Sequence, residues 1–150
     1  GSEMCIRDSL YIDNRQLEPT DLCDGRMFSV RPDIVADFRD LPFPDKTFHL
    51  VVFDPPHLIR VSDQAYMRVK YGRLDSTWQD DLRAGFKECM RVLDDYGTLI
   101  FKWSEVQIPT SQVIEAIGQK PLFGHISGRK SNTHWLTFMR FPSREVNNHV

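Results

Sequence analysis

Residues 47–53, Thr-Phe-His-Leu-Val-Val-Phe, form an apolar run that ends abruptly in Asp54-Pro55-Pro56-His57. A short run of this kind, rich in β-branched and aromatic side chains, predicts a strand covered on both faces within a parallel sheet. Two prolines fix φ and supply no N–H, so neither a central strand nor a helix can continue through them. Pro55 also holds the residue before it in extended geometry. Asp54 is therefore expected to project from the carboxyl end of a strand, the edge of an open α/β sheet that holds ligands.

The flanking segments fit the same architecture. Leu10-Tyr11-Ile12 before Asp13 predicts a short strand, residues 33–38 a second, and residues 41–46 a turn. Residues 59–75 lack a period and carry Arg60, Arg68, Lys70 and Arg73 among Tyr66 and Tyr71, the pattern of a long functional loop. Ser76-x-x-Gln79 reads as a capping box, and Trp78, Leu82, Phe86, Cys89, Met90 and Leu93 share one helical face. Residues 94–97 should end that helix and residues 98–103 form a buried strand. Pro109, Thr110 and Ser111 open a second helix that runs to Ile117, with Gly118 at its end. Residues 122–126 and 135–141 then predict an antiparallel pair. The fold class expected is α/β, with a mostly parallel sheet closed by a C-terminal antiparallel hairpin.

Bulk properties narrow the function classes. A chain of 150 residues with 41% hydrophobic content matches one domain. Its formal net charge of -2 gives no global attraction to nucleic acid or membrane, so an anionic partner needs a local basic patch. Cys5, Cys23 and Cys89 are odd in number without a C-x-x-C spacing, and the five histidines are scattered, so reduced thiols and no metal site are expected. No apolar stretch approaches the roughly twenty residues of a membrane helix, and no signal peptide is recognisable, which makes a cytoplasmic address the expectation. Gly1-Ser2 resembles a cloning remnant and residues 3–9 resemble translated adaptor sequence. On that reading residues 1–9 are artefact and residues 10–150 a single domain.

The chemistry of Asp-Pro-Pro suits an amine. The Asp54 carboxylate and the Pro55 carbonyl make a rigid pair of acceptors, and an amino group offers two N–H donors from one nitrogen. An exocyclic amine on a nucleobase is a weak nucleophile because its lone pair is delocalised into the ring. Two acceptors gripping its hydrogens favour a pyramidal nitrogen and aim that lone pair. His57 can stack on the ring. The alternative is that Asp54 caps a turn and the prolines merely end the strand. Lys102 and Glu105 follow the next strand on the same edge, where they can hold substrate or form a surface ion pair. Arg60, Lys70 and Tyr71, with their basic and aromatic neighbours, can contact phosphates and stack on bases. Arg129, Lys130, Asn132 and His134 read as a solvated turn, and Trp78, Trp103 and Trp135 as core.

Asp54-Pro55-Pro56-His57 resembles the (Asp/Asn)-Pro-Pro-(aromatic) signature of class I S-adenosylmethionine-dependent methyltransferases of the amino-directed group. The stretch from Asp37-Phe38-Arg39-Asp40-Leu41 into the apolar run is similar to the passage joining that fold's third and fourth strands. Leu93-Asp-Asp-Tyr-Gly97 and the strand after it are similar to its helix-to-fifth-strand passage, and residues 31–141 as a whole resemble small phage and bacterial methyltransferase-like proteins. The resemblance implies a Rossmann-like sheet and S-adenosylmethionine as cofactor. Asp37 would face the adenine amine, Phe38 would give a backbone or ring contact, and Asp13 would stand at the ribose-binding acid position. Two departures are plain. His57 replaces the usual Tyr, Phe or Trp, and no Gly-rich turn precedes Asp37, where the only glycines are Gly1 and Gly25. The first strand, its Gly-rich turn and the first helix are thus expected to be missing.

The function implied is methyl transfer to an exocyclic amine, with DNA or RNA as substrate partner and no membrane partner. A catalytically silent remnant that binds nucleic acid or a partner is the first alternative, and a methyltransferase acting on a protein amide or small amine the second.

Overall fold

A computed structural model describes residues 9–22, 26–60, 72–126 and 132–142. In chain order these form β1 (Ile12–Asp13), β2 (Leu17–Leu22), β3 (Arg26–Val30), β4 (Ile34–Val35), β5 (Phe48–Phe53), α1 (Trp78–Val92), β6 (Leu93–Ser104), α2 (Thr110–Ile117), β7 (Phe123–Ile126) and β8 (Thr133–Met139).

Helix α1 forms where the periodicity predicts it, and Trp78, Leu82, Phe86 and Cys89 are buried along one face. Asp80 and Asp81 in its first turn and Arg91 in its last complement the helix dipole. The predicted capping box does not form. Thr77 is the N-cap, with φ -89° and ψ 16° rather than the extended geometry a capping side chain requires. Its hydroxyl donates to the Asp81 carboxylate instead. At the other end Arg140 Nη1 donates to the carbonyls of Met90, Arg91 and Leu93, so the last turn is satisfied without a glycine. The chain enters β6 directly.

Residues 94–97, expected as the helix terminator, lie inside β6. The register with β5 jumps from Phe48↔Leu93 to Leu50↔Thr98, and Tyr96 sits at φ 62° within the bulge. Helix α2 ends as expected: Gly118 adopts φ 74° and its N–H donates to the Ile114 carbonyl.

The main sheet has the order β5-β6-β8-β7. β5 and β6 run parallel, while β8 is antiparallel to both β6 and β7, which gives the expected terminal hairpin. β1 and β4 form a separate parallel pair, and β2 and β3 an antiparallel one. The fold is thus mixed α/β with a parallel-containing sheet. The expectation of a mostly parallel arrangement is corrected: among the described residues antiparallel pairings outnumber parallel ones, because β2–β3 adds a hairpin where no element was predicted. Pro19 hides that hairpin by interrupting the alternation at the point where its register shifts, between Leu17 and Thr20.

Cross-strand register sorts the sheet into two faces. Leu99 and Phe101 of β6 and Leu136 and Phe138 of β8 point to the side of α1 and α2, where they join Phe53, Trp103 and Val113 in the core. The opposite face carries Val52, Ile100, Thr137 and Phe123 in one row across four strands. Leu50 is 58% and Val52 60% exposed, which corrects the prediction that β5 is covered on both faces. No described helix packs on that side. Trp135 lies on the same face, 37% exposed, and is not the core residue its size suggested.

Candidate functional site

β5 delivers Asp54 to the sheet's carboxyl edge because the residue before it is anchored. The Phe53 ring is buried between Phe38, at 5.4 Å between centroids, and Phe101, at 5.3 Å. Pro55 is buried and Pro56 half-buried, so the turn after Asp54 is fixed by packing as well as by ring geometry. Gln107 then holds the chain beyond His57. Its side-chain oxygen accepts the backbone N–H groups of Ile59 and Arg60, and its amide donates to the Arg60 carbonyl.

A cavity of about 460 Å³ opens beside this edge. Asp54, Pro55 and Pro56 line it with Val51, Val52 and Phe53 of β5. Asp13, Asn14 and Arg15 line it from the end of β1, and Phe38, Gly72 and Arg73 from the connecting segments. Its size falls in the ordinary range for a small-molecule or cofactor site. Gly72, at φ 73°, lies against Pro56, where an added Cβ would come within 3.3 Å of the proline ring. Cys89 also touches the cavity, but burial pushes its thiol up to about 12, so it remains protonated and is no nucleophile.

The predicted residues divide in two. Asp13, Phe38, Asp54, Pro55 and Pro56 converge on the cavity; Asp37, His57, Arg60, Lys102 and Glu105 do not line it. Asp13 is gripped by Arg15, whose Nε and Nη2 donate at 3.0 Å to its two oxygens and whose backbone N–H donates at 2.9 Å. Burial opposes ionisation there, but these bonds prevail and hold the carboxyl below its usual range. Asp37 turns to Arg39, accepting from its backbone N–H and guanidinium, and Arg39 reaches on to Asp81. The Arg39 bonds hold the Asp37 carboxyl low.

His57 is half-buried, its ring edge-on to Trp103 at 6.4 Å. Burial lowers its basicity and outweighs the opposing pull of Asp54, so the imidazole is harder to protonate than a free one. Glu105 accepts the backbone N–H of Thr110 at 2.7 Å and thereby caps α2. Lys102 donates to Asp54 Oδ2 at 2.7 Å. Lys70 and Tyr71, with Tyr66, Arg68, Arg129 and Lys130, lie outside the described residues. Among the described residues no His, Cys, Asp or Glu cluster could hold a metal ion, and no helix is long and apolar enough to cross a membrane.

Three contributors had no strong sequence signal. Arg15 is only two residues from the acid it grips. Gly72 and Gln107 act on the Asp54 turn from distant segments.

No family model and no curated protein matches the chain. Among solved structures, similarity is found to TTHA0409 of Thermus thermophilus, described as a "putative DNA modification methylase": TM-score 0.48 and 22% identity over 71% of this chain and 52% of that one. The same protein crystallised with S-adenosyl-L-methionine gives TM-score 0.46 and 18% identity over 71% and 53% of the two chains. This chain therefore spans about half the length of those structures.

Proposed function

We propose that this chain is built for methyl transfer from S-adenosylmethionine to an exocyclic amine, that of a nucleobase in DNA or RNA. The observation that carries the reading is the position of Asp54-Pro55-Pro56, at the carboxyl end of β5 and on the wall of a cavity shared with Asp13 and Phe38. The lining fits the cofactor's chemistry. Asp13, oriented by Arg15, suits ribose hydroxyls, and Phe38 and Val51 offer ring and apolar contact.

When bound, the cofactor supplies an electrophilic methyl group on its sulfonium. The remaining work falls to the chain. Asp54 accepts an N–H of the incoming amine and, with the Pro55 carbonyl, aims the nitrogen lone pair into the cavity. Forming the nitrogen–carbon bond would break the methyl–sulfur bond, with its electron pair left on a neutral thioether; the nitrogen would then shed one proton, and the Asp54 carboxylate would be the group to take it. His57, two residues past Pro55 and outside the cavity lining, is held in a setting that disfavours its charged form. The target base must be flipped or single-stranded for its amine to reach this edge.

The test is Asp54→Ala. Tritium transfer from labelled cofactor should fall on the order of 10²–10³-fold, as for loss of one well-placed catalytic acceptor or donor. Cofactor binding measured by calorimetry should persist. Unchanged transfer would sink the mechanism, and label arriving on protein or on a small amine in place of DNA and RNA would move the acceptor class.

A second reading is favoured by the edge of the main sheet, where β5 is paired only with β6 among the described residues. On that reading the chain is a methyltransferase-like remnant that binds nucleic acid or a partner without turnover. Calorimetry of this chain with S-adenosylmethionine separates the two: micromolar binding supports the enzyme, and none supports the remnant.

A further inference from the structure

One row of side chains on the open sheet face brings a carboxylate, an ammonium and an indole together. Beyond the Phe53↔Phe101 pairing Asp54 stands beside Lys102, Lys102 pairs in register with Trp135, and Trp135 with His125. Lys102 Nζ is 2.7 Å from Asp54 Oδ2 and 5.6 Å from the centre of the Trp135 indole. The ammonium thus rests between a carboxylate and a ring face, both of which attract it.

Lys102 and Asp54 are 34% and 49% exposed. An ion pair this open to water is weak, which makes it displaceable. Lys102 occupies the place on Asp54 that an acceptor amine would take. A neutral aromatic amine can enter by sliding the lysine toward Trp135, because the carboxylate gains a new N–H donor and the ammonium keeps the indole. An alkylammonium cannot enter so easily. It brings a second positive charge to a carboxylate already neutralised, and the two cations repel at short range.

We infer that Lys102 is a specificity-determining placeholder, a positioning residue that admits neutral exocyclic amines to Asp54 and rejects charged alkyl amines such as those of lysine side chains and polyamines. The inference rests on the amine-directed reading above and narrows its substrate class. The contact of Lys102 with Asp54 accordingly gives way when substrate enters.

The experiment follows tryptophan fluorescence of the whole chain, with Trp135 as reporter, during titration with adenosine or with methylammonium. Wild type should respond to adenosine at concentrations at least about tenfold below those needed for methylammonium. Lys102→Met should abolish that preference by admitting methylammonium, and Lys102→Arg should restore it. A preference unchanged in Lys102→Met, or no response to either amine in wild type, would overturn the inference. So would a Lys102→Arg variant that behaves like Lys102→Met. Tritium transfer by wild type is measured in parallel. Absent transfer with the amine preference intact rejects the methyltransferase reading while leaving the role of Lys102 in place, so the two failures are distinguishable.

Discussion

The two faces of the main sheet are built from the same strands and a similar alternation of apolar side chains, yet only one is a core. On the side of α1 and α2, Leu99, Phe101 and Phe138 are fully buried; on the other, Leu50 and Val52 stand more than half exposed. Apolar character in a strand therefore says that a face can be covered, and the helices decide whether it is. The difference also separates tasks. The covered face supplies stability and anchors Phe53, whereas the open face carries the Asp54–Lys102 pair into reach of solvent.

The sharpest way to break the comparison is to truncate one residue on each face of neighbouring strands. Phe101→Ala removes a fully buried ring that packs against Phe53 and stacks on Trp103, and should cost about 3–5 kcal/mol in urea unfolding. Val52→Ala, on the open face, should cost less than about 0.5 kcal/mol. Equal losses would mean that the open face is covered in solution and that the asymmetry is wrong.

Much of the covered face was legible in sequence because its signals are local. The four-residue spacing of Trp78, Leu82 and Phe86, the glycine after Ile117 and the acid-proline stop after Phe53 each act within a turn or two of chain. The Asp54 edge could be read for the same reason. What stayed hidden acts across distance. Arg140 caps a helix 50 residues away and Gln107 ties down a turn 48 residues back, while for Lys102, already expected on the Asp54 edge, only the partner in its ion pair was unread. The bulge at residues 94–97 has turn-like composition, so a helix terminator was the natural expectation until the strand register placed it inside β6. One-sided coverage was invisible for a different reason: it depends on which helices exist, and β5 itself carries no record of them.

A smaller effect probes the seam between the covered face and the cavity. Gly85 of α1 lies against Phe38, where an added Cβ would fall 2.3 Å from the ring and 2.9 Å from the Phe53 ring. Phe53 is buried, and Phe38 is partly buried between the helix and the cavity, so one of the two rings must shift. Gly85→Ala should destabilise by about 1–3 kcal/mol through overpacking, despite its better helix propensity. Because Phe38 lines the cavity, the same substitution should weaken cofactor binding by calorimetry. Loss of stability without loss of binding would show that the cavity wall is independent of the helix behind it.

The smallest expected effect compares the charged pairs at the margins of the two faces. Beside the covered face Arg91 donates to both oxygens of Glu88, to Asp45 and to the carbonyls of Leu41 and Phe43, while Glu88 also accepts the Leu41 N–H. The Arg91 bonds hold the Glu88 carboxyl below its ordinary 4.5. A carboxyl depressed in the folded state stabilises above its unfolded value and loses that contribution as pH falls through the folded one. Wild type should therefore lose stability as pH drops from about 4.5 into the lower folded range, beyond what Glu88→Gln loses over the same interval. At pH 7, Glu88→Gln should cost about 1–2 kcal/mol, since its partners are partly buried hydrogen bonds to a charged group. Breaking the exposed Asp54–Lys102 pair with Asp54→Asn should cost at most about 1 kcal/mol. Thermal unfolding of the two variants side by side checks the ranking. An Asp54→Asn loss as large as that of Glu88→Gln would make the pair on the open face structural rather than poised for an incoming amine.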